Sequence, residues 1–258
     1  MSIYESQELL IYCGALALVL GACMGSFLNC MAIRMGRGEA FVKGRSRCMH
    51  CGHDLTAKDL IPVISWIRLK GRCRYCREKI SARYPAVEIA FALVSLACLL
   101  KFDLTVLCLR NDIFLSVLLL LTLTDLDTMR IPDCCHVIAA IAWILSAPLL
   151  MSWLEAGMHL LAAVLFGGGV LAVSLVMDKL MGRDTMGGGD IKLLATAGLY
   201  FGIIGTLLVL VLSCVIGLIA NIANKKKEFP FGPWIAAASA VALFFGQPLI
   251  NWYAGLLG

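Results

Sequence analysis

The chain has 258 residues, of which 60% are hydrophobic and 15% charged, with a mean hydropathy of +0.88. Soluble domains run at roughly 45–50% apolar and about 25% charged, so this composition excludes a soluble globular protein. It implies an all-α polytopic membrane protein with one integral domain, residues 1–258, and the net charge of +5 needs no nucleic-acid partner.

In chain order, apolar runs fall at about 9–33, 86–101, 113–129, 135–154, 158–178, 190–202, 203–223 and 232–256. Crossing a bilayer takes ~20 apolar residues, so the pattern predicts about eight transmembrane helices, the second and sixth being short. The first run lacks a basic n-region and is too long for a signal-peptide core, so it reads as a retained helix. Between the first two runs, residues 34–83 hold thirteen of the 22 Lys and Arg. With eight spans, Arg130, Lys179, Arg183, Lys192 and Lys225–Lys227 fall on that same side, and only Lys101 and Arg110 on the other. The positive-inside rule then makes this loop cytoplasmic and both termini non-cytoplasmic.

Residues 35–84 form the one extended polar stretch, an insertion within the membrane domain. It carries Cys48-x2-Cys51, a spacer of 21 residues, and Cys73-x2-Cys76. Two such knuckles can close a tetrahedral thiolate site, and a small polar loop lacks the core to fold without a staple. A disulfide reading competes, but the loop lies on the reducing side, so structural zinc is expected. His50 and His53 read as surface histidines. The other eight cysteines sit mostly in apolar runs, where the thiol behaves as a small hydrophobe. Cys134-Cys135-His136 is not a metal motif, because adjacent helical residues point about 100° apart. His159 reads as an interfacial side chain at the outer end of a span.

Two carboxylates stand out. Asp125 lies in the third run, five residues before Arg130, at a depth of roughly 7–8 Å from the cytoplasmic interface. Asp190 opens the sixth run, behind the glycines of MGGGDIK and two residues before Lys192, on the same side. Ionisable groups inside a membrane are costly and mark function. Asp127, Asp133, Asp178 and Asp184 read as interfacial, loop or helix-end charges. Two carboxyls sharing one proton are equipped for aspartyl proteolysis, one as acid while the other deprotonates water. The proton belongs to the pair, not to either residue. Gly187–Gly189 then offer an irregular, approachable backbone for an extended peptide, which is tolerable at this depth only beside a wet cavity.

MGGGDIKLLA resembles the GxGDxK signature of the membrane aspartyl proteases, with Gly187, Gly189, Asp190 and Lys192 in register. TDLDTMRIPD resembles the first-aspartate motif of the bacterial type IV prepilin peptidases, here Asp125, Pro132 and Asp133. GSFLNCMAIR (25–34), both knuckles, LIPVISWIRLKGRCRYC, ISARYPAVE (80–88) and FPFGPWIA (229–236) continue the resemblance in order through nearly the whole chain. One departure is Arg34-Met35-Gly36, where that family commonly has Arg-x-Pro.

The resemblance implies a prepilin leader peptidase/N-methyltransferase of the inner membrane. Such an enzyme cuts the short basic leader from prepilins or pseudopilins at the cytoplasmic face and methylates the new N-terminus with S-adenosylmethionine. It implies Asp125 and Asp190 as the catalytic pair and Cys48, Cys51, Cys73 and Cys76 as metal ligands. No soluble nucleotide-binding motif is present; Asn29, Arg34 and Glu88, each at a helix end near the cytoplasmic loop, are the candidates for methyl-transfer contacts. The glycines at 167–169 read as helix-packing residues. A local acidic mouth from Asp127, Asp133, Asp184 and Asp190 would suit a basic leader. Two other classes compete: a cation or proton transporter using the acids as a relay, and a membrane adaptor docking through its zinc loop. No internal repeat supports the first, and the second leaves two costly acids unexplained.

Overall fold

The computed structural model describes residues 2–39, 44–183, 185–224 and 230–257. Lys43, Asp184, Lys225–Lys227 and the start of the FPFGPWIA stretch lie outside the described residues. The helices are α1 (Gln7–Gly36), α2 (Ile64–Arg68), α3 (Arg83–Phe102), α4 (Val106–Thr128), α5 (Asp133–Leu150), α6 (Trp153–Met181), α7 (Gly188–Asn224) and α8 (Gly232–Leu257). Among the described residues, pairing between extended segments is limited to two isolated bridges. Two compact units divide the chain, Met1–Asp112 and Ile113–Gly258.

In the first unit α1 and α3 run antiparallel. Lipid supplies no hydrophobic drive between helices, so association relies on close contact through small residues. A Cβ on Gly21 would lie 2.9 Å from the Ala92 Cα, and one on Gly25 would lie 3.1 Å from the Phe91 Cβ. The turn from α3 to α4 passes through Asp103, whose φ is 56°. An N-terminal 3-10 turn covers it: the Ile3 amide donates to Asp103 Oδ1 at 2.9 Å, and the Tyr4 hydroxyl donates to the Leu100 carbonyl. The Thr105 hydroxyl accepts from the Cys108 amide at 3.2 Å. That cap lets α4 start seven residues before its apolar run. Arg110, expected in an outer loop, is therefore a helical residue with 8% of its surface exposed.

In the second unit α4 is packed by Phe114, Leu118 and Leu121, all buried. Its threonines satisfy themselves on the same helix: Thr124 Oγ1 donates to the Leu120 carbonyl at 2.9 Å and Thr128 Oγ1 to that of Thr124 at 2.8 Å. α4 stops at Met129, left-handed with φ 53°, its amide donating to the Asp125 carbonyl at 2.9 Å. Across α5 and α7, Tyr200 stacks on Phe114 at 3.9 Å between ring centroids and donates to the Ala139 carbonyl at 2.9 Å.

α7 is two antiparallel limbs, 188–201 and 203–224, broken at Gly202 with φ 63° and ψ −167°. That backbone region is essentially restricted to glycine. At one end of the first limb, a Cβ on Gly189 would lie 2.8 Å from the Ile131 Cβ; farther along, one on Gly198 would lie 2.5 Å from the Ala163 Cα. The second limb returns, so that a Cβ on Gly217 would lie 3.3 Å from the Phe231 ring, while one on Gly232 would lie 2.9 Å from Ile131 Cδ1. In a straight helix Gly189 and Gly217 would be about 42 Å apart. Both instead reach the Ile131–Phe231 neighbourhood. Among the described residues seven helices are long and apolar enough to cross a membrane, and the reversal of α7 gives eight apolar segments, as the hydropathy pattern predicts.

His159 departs from its sequence reading. Its Nδ1 bonds the Leu199 carbonyl at 2.7 Å, one of those that a break at Gly202 leaves short of helical donors. Of the three consecutive glycines 167–169 in α6, only Gly167 packs closely, a Cβ there lying 2.7 Å from the Ala195 Cβ; Gly168 and Gly169 face open space.

Replacing Gly198 with Leu is expected to destabilise the second unit by about 1–3 kcal/mol, because the Ala163 backbone cannot yield. Replacing Gly168 with Ala should be neutral or stabilising by less than about 1 kcal/mol. Thermal melts of the two variants in detergent check the contrast.

Candidate active site and metal centre

Asp125 sits in the last turn of α4 and is 5% exposed. Asp190 sits in the first turn of α7, half-buried. Both line one cavity of about 400 Å³, together with Met129, Thr185, Gly187, Pro230 and Phe231. The Gly232 amide, at the start of α8, hydrogen-bonds Asp125, and a Cβ there would lie 2.6 Å from Asp125 Oδ2. Asp190 Oδ1 is buried with no protein partner. A buried carboxylate oxygen without a donor must hold a proton or meet a water.

The supporting residues surround this pair. Pro132 caps α5, Asp133 opens it, and Asp133 Oδ1 accepts from Lys192 Nζ at 2.6 Å. Both partners are largely exposed, so the pair aligns α5 with α7 more than it stabilises them. Gly187 faces Asp190 Oδ2, a Cβ position 3.3 Å away. Sequence reasoning missed Asp178, which it took for a helix-end charge. Its Oδ1 accepts from the Thr185 amide at 2.7 Å and the Thr185 hydroxyl at 2.6 Å, fixing the segment that leads into the glycines. The signal was an acid seven residues before a threonine across a glycine turn, which is too common to single out. Of the expected acidic mouth, Asp190 lines the cavity, Asp133 is ion-paired, Asp127 is exposed on α4 and Asp184 lies outside the described residues.

In the first unit the sulfurs of Cys48, Cys51, Cys73 and Cys76 all lie within 4.8 Å of one another, the one such group of potential metal ligands among the described residues. Tetrahedral zinc with Zn–S near 2.3 Å separates its sulfurs by about 3.8 Å, and Cys48 Sγ and Cys76 Sγ are 3.8 Å apart. Each pair sits on a hairpin, with bridges Arg47–Asp54 and Arg72–Lys79. The residue after each second cysteine side is left-handed, Gly52 at φ 71° and Arg77 at φ 62°. Burial opposes the Cys48 thiolate, but amides of Cys51 and His50 and the thiols of Cys73 and Cys51 bring that thiol down to about 6. At Cys76 the Glu78 amide favours the thiolate, yet burial and the other three sulfurs push the thiol up to about 12. One thiolate is cheap here and four are not, unless a divalent cation neutralises them. The donor set fits such an ion.

A second cavity, of about 1060 Å³, lies between the knuckles and α1 and α3, lined by Arg34, Arg83 and Glu88 among others. Glu88 is 6% exposed and its Oε2 accepts from the Val63 amide at 2.7 Å. Arg34 donates to the Arg45 carbonyl at 3.0 Å. Asn29 is wholly buried, accepts from Arg83 Nε at 3.1 Å, and its Nδ2 has no partner. Arg34 and Glu88 thus line one space, and Asn29 lies behind it, bonded to Arg83, which lines it too.

Two family profiles match the chain in tandem, the Bacterial Peptidase A24 N-terminal domain over residues 19–102 and the Type IV leader peptidase family over 113–222. A prepilin leader peptidase/N-methyltransferase of Aeromonas hydrophila is 37% identical over 223 residues, covering 81% of this chain and 74% of the relative. The chain belongs to the type IV prepilin leader peptidase family. Relatives of the same description from Burkholderia pseudomallei (strain 1026b) and Bacillus subtilis (strain 168) are 32% and 29% identical. The alignments cover 91% of this chain in both cases, and 86% and 95% of those relatives respectively. No solved structure matches the chain. As in its family, the enzyme is a multi-pass membrane peptidase.

Replacing Cys73 with Ser should abolish metal binding to the knuckles. Metal analysis of purified protein is expected to fall from about one zinc per chain to background, and an unchanged content would contradict a tetrathiolate site.

Proposed function

We propose that this enzyme cleaves the basic leader of type IV prepilins or pseudopilins at the cytoplasmic face of the inner membrane, and then N-methylates the new N-terminus. The observation that carries the peptidase reading is the cavity shared by Asp125 and Asp190, with one carboxylate oxygen buried and unpartnered. One carboxylate takes a proton from water as the water attacks the scissile carbonyl. The other, protonated, donates to the carbonyl oxygen, and the proton then passes to the departing amine. The start of α8 packs against Asp125, a Cβ on Gly232 lying 2.6 Å from its Oδ2. Gly187 and Gly188 leave backbone open to an extended substrate strand. The knuckles and both aspartates lie on the cytoplasmic side, and both termini on the other.

For the second step, bound S-adenosylmethionine supplies the methyl group. Arg34 offers a partner for a carboxylate and Glu88 for an ammonium, in a cavity at the upper end of the size range of ligand sites. Zinc in the knuckles holds the wall of that cavity. A transporter reading is disfavoured by acids gathered at one end of the helices, and an adaptor reading leaves the aspartate cavity without a role.

Mass spectrometry of a co-expressed prepilin's N-terminus tests both steps. Asp125→Asn and Asp190→Asn should each lower cleavage by roughly 10²–10⁴-fold while the protein inserts normally; full retention by either variant overturns the two-aspartate assignment. Cys73→Ser should leave cut but unmethylated pilin in excess, and equal loss of both activities would argue against assigning methylation to the first unit.

A further inference from the structure

Of the eight cysteines outside the knuckles, Cys98 and Cys108 stand apart because their sulfurs face each other across the α3–α4 hairpin at 3.9 Å. We propose that they form a reversible disulfide on the non-cytoplasmic side of the membrane, a reading that rests on the topology proposed above. Both residues lie close to the Asp103–Thr105 turn, Cys98 on the last turns of α3 and Cys108 on the first of α4. The Cys98 thiol donates to the Cys108 carbonyl at 3.6 Å. A disulfide needs a sulfur separation of about 2.0 Å, so the bond closes as the two facing side chains turn toward each other from 3.9 Å. The hairpin is already closed by the cap of Ile3 and Tyr4 over the turn, so the bond joins elements whose separation the fold has fixed.

The two thiols divide the chemistry. Cys108 is partly exposed and Cys98 is wholly buried. The oxidant is the disulfide of a thiol–disulfide carrier protein on the oxidising side of the membrane. The Cys108 thiolate attacks one carrier sulfur, forming a mixed disulfide and releasing the other carrier sulfur as a thiolate. The Cys98 thiolate then attacks Cys108 Sγ, forming the Cys98–Cys108 bond and expelling the carrier's remaining sulfur. The protein loses two electrons and two protons, and the carrier leaves as a dithiol.

The test uses full-length enzyme from cells quenched with acid and alkylated without reductant, then digested for mass spectrometry. A linked peptide pair, two hydrogens lighter than the two thiol peptides together, is expected in the wild type. It should be absent from Cys98→Ser and after phosphine reduction. Reduction should also lower the wild-type melting temperature by several degrees and leave that of Cys98→Ser unmoved. Recovery of both cysteines alkylated in the wild type overturns the disulfide. Topology is read separately, by labelling Leu104→Cys in the Cys98→Ser/Cys108→Ser background with a membrane-impermeant maleimide from the outer side. Labelling without a linked pair removes the disulfide and leaves the topology standing. Labelling only after lysis overturns the topology and, with it, the site as proposed.

Discussion

Removing a carboxylate from water is expensive, and the second unit is arranged around that cost. Asp125 is nearly enclosed, yet it faces a cavity and receives an amide from the start of α8. Asp190 stands where the first amides of α7 favour negative charge, with one oxygen left for a proton or a water. The nearest lysine of the motif, Lys192, pairs with Asp133 on α5 instead. A cation held that way is kept away from the two acids of the cavity.

The first unit answers a different problem. Its insertion is too polar and too short to build a core, so its order comes from four sulfurs and from anchors to the membrane helices. Glu88 holds the Val63 amide, and Val63 is held at a left-handed φ of 61° that a β-branched residue avoids. Such a conformation persists only where surrounding contacts over-determine it. Arg34 holds the backbone beside the first knuckle from α1. The gathered sulfurs and the helix anchors together shape the larger cavity.

Much of this was legible in the sequence. Hydropathy located the eight apolar segments, including the break at residue 202. The Cys-x2-Cys spacing was enough to bring four sulfurs together on paper, because knuckle geometry is local. What the pattern could not show depends on contacts between distant segments. Arg110 looked like a loop charge because periodicity ignores the Thr105 cap that extends α4. His159 looked interfacial because nothing local records a carbonyl freed in another helix. Asp178 looked idle for the same reason, since its partner is defined by the turn that follows α6. Gly167 and Gly168 are indistinguishable in sequence, yet one touches Ala195 and the other touches nothing.

The Gly202 break joins two helices through a single residue, clasped by His159, with no loop to absorb a change in length. The first limb therefore works as a gauge block of fixed phase. An extra residue between Gly202 and Asp190 would advance the helix by about 1.5 Å and swing everything before it through about 100°. The spacing from turn to acid is thereby as much a part of the proposed catalytic apparatus as the acid itself.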